Sequence, residues 1–496
     1  MNISERIRQV LAIDPDATAI EFVGHSWSWG YLSDVLGSLD AALTAAGAGA
    51  GASVGLLARN RPPHFGALIA VIATGRCVVT LSPMLADSQI ATDIAALELH
   101  AVVGSADDLA RPGIREAAAR SAMIRLDDEG AAVTVISGGT GGGRNRTGIA
   151  IEMLSSGTTG TPKRIPLRYA SLQAAIEATD TVKRAGEDGT ARLQKHPALI
   201  WNPLVHIAGM YFAIDSVYSG RPTVLMERFS PESWAQTVEE HQLYVSSLNP
   251  TAMRMVMDAN IAPERLASLR IVRSGTAALP PDLQAAFEDR YGKPVLATYG
   301  ATEFAGAVAG WTLDDHRKYR QAKLGSSGRA HRGVQLRTID RETGSVQPPG
   351  EEGVLEVRAD QIGTGDWVRT TDLAMIDEDG FLWIRGRIDD AIVRGGFKVH
   401  PAKVQAVLEA HPAVREAAVV DLPDRRVGAV PAAAVCLARD VADRPTPDEL
   451  LEFARERLAP YEVPVKIVIA DDLPRTPSLK VVRPALREML AAAAGG

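Results

Sequence analysis

Only two cysteines occur among the 496 residues, Cys77 and Cys436, and neither has a histidine or second cysteine at metal-ligand spacing. Neither a disulfide framework nor a zinc site is therefore expected. Basic residues are also in deficit: 53 Lys+Arg against 60 Asp+Glu leave a net charge of −7, with the cations scattered along the chain. That balance argues against a nucleic-acid partner. Long apolar runs are missing too. The longest, Phe65 to Thr74, stops at Gly75-Arg76, too short to span a bilayer, and predicts a buried core helix and no membrane association. Charges in the segment Met1 to Val10 interrupt any apolar signal core, so a cytoplasmic protein is expected. What the chain has is size: 46% apolar and 23% charged residues over this length predict large cores and more than one domain.

Apolar strand candidates, Ser53 to Leu57 and Cys77 to Leu81, alternate with helical stretches in the first half, as parallel α/β layers require. The Gly-rich segment Ser137 to Arg144 has no register that gives a dinucleotide or Walker fingerprint and reads as a connector. Leu283, Phe287 and Tyr291 share one face of a predicted helix with proline in its first turn and Gly292 at its end. The strand after it, Pro294 to Thr298, puts Tyr299-Gly-Ala-Thr-Glu303 at a carboxyl end, where open α/β sheets bind ligands. From about Leu324 to Ile384 the pattern turns to short, Gly-punctuated β segments, predicting a small barrel or antiparallel sheet. A fresh α+β alternation begins after Gly386-Arg-Ile-Asp-Asp390, so Asp389 is taken as a boundary between residues 1–388 and 389–496.

The stretch Ser155-Ser-Gly-Thr-Thr-Gly-Thr-Pro-Lys163 packs hydroxyls, two glycines and a lysine behind the predicted strand Ile149 to Leu154. Backbone N–H groups, hydroxyls and one ammonium suit a phosphate-gripping loop. It is not a Walker loop, because Thr161 and Pro162 separate Gly160 from Lys163. The whole string resembles the signature loop of the adenylate-forming superfamily: acyl-CoA synthetases, carrier-protein adenylation domains and luciferases. The resemblance extends over nearly the whole chain, is most specific from Ile151 to Lys480, and is closest to acyl- or aryl-CoA ligases. It implies an α/β fold: a large N-terminal domain of two αβ-layered sheets plus a small β-barrel, with a smaller mobile α+β C-terminal domain.

The same resemblance implies roles. Ser155, Ser156, Gly157, Thr158, Thr159, Gly160 and Lys163 would hold the ATP phosphates; Thr302 would meet the α-phosphate and Glu303 would bind Mg²⁺. Thr276 and Ala277 lie in the segment matching the adenine border, Tyr299, Gly300 and Ala301 lead to the base, and Asp372 with Arg387 match the ribose contacts. Asp389 matches a hinge about which the C-terminal domain rotates between half-reactions. Lys480 would bridge the substrate carboxylate and the α-phosphate, and Gly395, Gly396 and Phe397 would border the pantetheine of CoA. His206, beside the apolar candidates Met210, Tyr211 and Phe304, matches a histidine near the acyl pocket.

The reading is ATP-dependent activation of a hydrophobic carboxylic acid to an acyl adenylate, then thioester formation with CoA. Alternatives are a stand-alone ligase that loads a carrier protein, and an enzyme limited to the thioester half-reaction from a preformed adenylate. No carrier module follows residue 496, so the acceptor is expected to be free CoA or a separate carrier; dimers are common among such enzymes. Two positions depart from the family pattern: Leu479 stands where glycine is usual before the lysine, and Arg164 where a small residue is usual after Pro162-Lys163. Both are expected to slow adenylation. Pro401-Ala-Lys-Val-Gln405 replaces a usually acidic segment.

Overall fold

The computed structural model describes residues 2–139, 142–154, 164–178, 190–363, 365–439, 441 and 443–493. The loop Ser155 to Lys163, with every phosphate-binding residue expected there, lies outside the described residues.

The first half folds around a seven-stranded sheet in the order Val133–Ser137, Ala122–Leu126, Ala101–Gly104, Ser53–Leu57, Cys77–Leu81, Ile149–Leu154 and Arg164–Arg168. Its five inner strands run parallel and both edge strands antiparallel. Parallel strands need covered faces, and the expected apolar helix supplies cover: every residue of Pro62–Ala73 is buried. A second, five-stranded sheet sets Val245–Ser247, Ile271–Ser274 and Val295–Ala301 in parallel, then adds Gly306–Gly310 and Arg329–Ala330 antiparallel. The predicted amphipathic helix is Pro281–Tyr291, ended by Gly292 at φ +61°, with Phe287 and Tyr291 buried in this layer's core.

The Gly-punctuated region forms a four-stranded antiparallel sheet of Val334–Ile339, Glu352–Ala359, Val368–Ile376 and Leu382–Arg387. Residues beyond Asp389 build a sheet of their own around the long hairpin Val414–Asp424 and Gly428–Leu437. The helix Pro401–Glu409 packs onto it through Val404 and Leu408. The atypical Lys403 in that helix binds both oxygens of the buried Glu462 carboxylate, at 2.6 and 2.7 Å, so the local change of charge has a local partner. Among the described residues, no helix is long and apolar enough to cross a membrane.

Candidate active site

The strand Val295–Ala301 carries Tyr299, Gly300 and Ala301 and turns back through the short 3₁₀ segment Thr302–Phe304 into Gly306–Gly310. The return is tight. A Cβ on Gly300 would stand 2.3 Å from the Gly306 carbonyl oxygen, so only glycine fits there. Ala305 completes the turn at φ +57°. Two residues past the end of the neighbouring strand Ile271–Ser274, Thr276 also has positive φ, at +68°. Non-glycine residues held in this region cost energy and cluster where surrounding structure fixes them for a task.

Two antiparallel strands set Asp372 directly opposite Arg387. The Tyr299 hydroxyl donates to Asp372 Oδ2 at 2.5 Å. Arg387 donates to Thr371 Oγ1 at 2.6 Å and grips both carboxylate oxygens of Asp389, at 2.9 and 2.8 Å. Burial raises the Asp372 carboxyl pKa, even though the Tyr299 hydrogen bond and the Arg387 charge oppose the rise. Burial, then the Asp372 charge, pushes the Tyr299 phenol far up, so it remains a donor. Arg387 is held firmly charged by Asp389. The expected ribose pair, base-side tyrosine and hinge aspartate thus form one connected network.

Lys480 reaches this network from the far end of the chain. Its pKa is lowered by burial and then by the nearby Arg387 guanidinium, and its own charge helps depress His206. His206, just ahead of the helix Ile207–Tyr218, is lowered to about 4, with burial the larger cause. Lys480, Arg387 and His206 therefore share one electrostatic environment. An anion beside Lys480 would oppose that lowering and favour the charged ammonium.

The loop that delivers Lys480 is tied internally and to the large sheet layer. Leu479 N donates to Thr476 O and Thr476 N to Lys480 O, both at 2.8 Å. Asn249 caps the helix Pro250–Asp258 with its Oδ1 and donates from Nδ2 to Ser478 O at 2.9 Å. Arg475 reaches Thr251 Oγ1 at 3.2 Å and Glu416 at 2.6 Å. Arg254 pairs with Glu409 and Glu416 at 3.3 and 3.7 Å, and Arg415 with Asp258 at 3.0 Å. None of Asn249, Arg254, Asp258, Arg475 or Thr371 is singled out by the sequence. A helix cap is legible in Asn249-Pro250, but its second partner lies 229 residues away.

Glu303 is exposed, and its charge acts on Asp372. An exposed carboxylate with no ion-pair partner among the described residues fits Mg²⁺, which takes one or two protein carboxylates and completes its shell with phosphates and water. Tyr211 hydrogen-bonds the Ala175 carbonyl at 3.1 Å and lies against Gly306. Met210 and Phe304 are almost fully buried, inside two separate core clusters. Gly395 and Gly396 form the two-residue turn of the hairpin Ile392–Arg394 and Phe397–Val399, both with positive φ as such turns demand. The turn end of that hairpin is exposed, with Phe397 stacked on Tyr461 at 4.8 Å. The structure brings together Tyr299, Asp372, Arg387, Asp389, Lys480 and His206, and leaves Gly395 to Phe397 facing solvent.

Arg164 opens the edge strand Arg164–Arg168, where its guanidinium pairs with Asp93 and donates to the Thr80 carbonyl at 3.2 Å. Its charge is engaged within the large sheet.

A family model described as AMP-binding enzyme matches residues 7–367, and one described as AMP-binding enzyme C-terminal domain matches 403–480. A 2-succinylbenzoate–CoA ligase of Bacillus cereus is 27% identical over 96% of this chain and 96% of its own length. The 4-coumarate–CoA ligase 3 of Oryza sativa subsp. japonica is 30% identical over 68% of this chain and 63% of its own. Among solved structures, the amide bond synthetase McbA from Marinactinospora thermotolerans superposes with a TM-score of 0.80 at 28% identity, covering 98% of this chain and 99% of that one.

Proposed function

The chain belongs to the AMP-binding enzyme family, and from that premise we propose that it is an acid–CoA ligase that activates a hydrophobic carboxylic acid through an acyl adenylate. The observation that carries this reading is the network in which Tyr299 donates to Asp372 and Arg387, opposite Asp372, grips Asp389, with Lys480 near enough to feel the Arg387 charge and His206 near enough to feel that of Lys480. A cation held close to a ribose-binding pair is what the attack of a carboxylate on ATP requires.

In the first step a carboxylate oxygen of the acid attacks the α-phosphorus of ATP and pyrophosphate leaves. Lys480 holds the two anions together, Asp372 accepts hydrogen bonds from the ribose hydroxyls, and Arg387 completes the ribose contact. Ser155 to Lys163 would grip the departing phosphates and Thr302 the α-phosphate. Glu303 would hold Mg²⁺, which neutralises phosphate charge when bound. In the second step the CoA thiolate attacks the acyl carbon and AMP leaves, with Gly395, Gly396 and Phe397 bordering the pantetheine after rotation of residues 389–496 about Asp389. The side chains proposed for the acyl region, Met210, Tyr211 and Phe304, carry no charge, which supports an apolar monocarboxylic acid.

The acceptor defines the second reading. The likeness to an amide bond synthetase supports an amine as a competing nucleophile, and the pantetheine of a carrier protein is the other. The test measures pyrophosphate exchange with a panel of apolar acids, then product formation with CoA, a pantetheinylated carrier or amines. Thioester on free CoA as the fastest product supports the ligase; faster transfer to either competitor replaces it.

A further inference from the structure

Leu479 sits at φ +63°, a left-handed backbone conformation that leucine rarely adopts. Glycine would make the same turn without strain. The leucine brings an apolar side chain, which packs against the core cluster that contains Leu248, Met253 and Val256, residues more than 200 positions earlier. The flanking residues of the turn are held to the same place: Ser478 O by Asn249, and Leu479 O by Arg475, which also reaches Thr251. Lys480 is the next residue, with its backbone N–H fixed on Thr476 Oγ1 at 3.1 Å.

We propose that Leu479 is a positioning residue: its side chain is a knob that docks the lysine turn on the large sheet layer and so sets Lys480 beside Arg387 and His206. The proposal rests on the reading of Lys480 as the cation of adenylate formation. Strain at the turn is maintained because the docked contact compensates it. The contact serves one arrangement of the C-terminal residues only, so its loss affects the step that uses Lys480 and spares the step that does not.

The test compares Leu479→Ala, Leu479→Asn and Leu479→Met in both half-reactions, with melting temperature as the check on folding. Asparagine tolerates the left-handed region but lacks the apolar reach, whereas methionine keeps the reach. Pyrophosphate exchange is expected to fall about tenfold in the Ala and Asn variants, the scale of losing a partly buried leucine contact. It should stay within about threefold in the Met variant, the cost of a volume-conserving swap. CoA-dependent consumption of preformed acyl adenylate should be unchanged in all three. Exchange unaffected by Ala and Asn, or equal loss of both half-reactions in a folded variant, overturns the proposal. Should Leu479→Ala unfold, the Asn and Met pair decides by the same criteria. No exchange in the unmodified protein with any acid contradicts the parent reading, and this proposal with it; exchange in the unmodified protein with no Leu479 effect defeats this proposal alone.

Discussion

Tyr299 donates its phenolic hydrogen to Asp372 Oδ2 at 2.5 Å, joining the end of a central strand in one sheet to an inner strand of another. The bond holds a buried carboxylate whose proton affinity is raised by its surroundings. Removing the hydroxyl leaves Asp372 with one donor fewer. Tyr299→Phe should raise KM for ATP about tenfold to 150-fold, the range of about 1.5–3 kcal/mol for a hydrogen bond to a charged group, with little change in KM for the acid. A matched rise in both KM values contradicts a nucleotide-side role.

Lys480→Ala should reduce pyrophosphate exchange by at least about a hundredfold, the loss typical of deleting one preorganised charge from a transition state. Thioester formation from synthetic acyl adenylate and CoA should continue near the unmodified rate. Equal loss of both steps would contradict a role for Lys480 confined to the first half-reaction.

His206 is held near 4 by burial and by Lys480, below the value of about 6.5 for an unfolded histidine. The unfolded chain therefore binds the proton first as acid is added. The stability tied to neutral His206 is complete above pH 6.5 or so and declines as pH falls toward 4. His64, fully buried and also lowered to about 4, adds a similar slope. Melting temperature should thus fall less steeply between these pH values in His206→Gln than in the unmodified protein, the His64 slope being common to both. Identical slopes would show that His206 is not held neutral.

Arg254 faces Glu409 and Glu416 across the seam between the helix Pro250–Asp258 and the C-terminal residues, with all three side chains mostly buried. Arg254→Ala leaves two buried carboxylates without it, a change that costs about 3–5 kcal/mol when a pair is fully desolvated. The expected result is slower adenylation with a lowered melting temperature, and partial recovery in Arg254→Ala/Glu409→Gln. No recovery in the double variant would assign the loss to something other than the uncompensated Glu409 charge.

The parts of this site legible in the sequence were those set by local pattern. The helix through Phe287 and Tyr291 announces itself by spacing and its closing glycine, and the strand after it carries Tyr299 to a sheet end. Asp372 and Arg387 were recognisable by motif, and the antiparallel register that sets them opposite each other follows from the Gly-punctuated strands between. Long-range pairings were not legible. Arg164 meets Asp93 from 71 residues away, and Lys403 meets Glu462 from 59. Leu479 reads in sequence as an obstacle to a flexible turn; only its packing against the core cluster that contains Leu248 and Met253 gives the side chain a use. The phosphate loop itself rests on motif alone.

The most direct test is ATP–pyrophosphate exchange by the purified protein with a panel of apolar carboxylic acids, followed by addition of CoA. Acid-dependent exchange, lost in Lys480→Ala, with AMP and acyl-CoA formed in equal amounts once CoA is added, is the predicted result. Absence of exchange with every acid, alongside release of AMP from supplied acyl adenylate and CoA, would contradict the account.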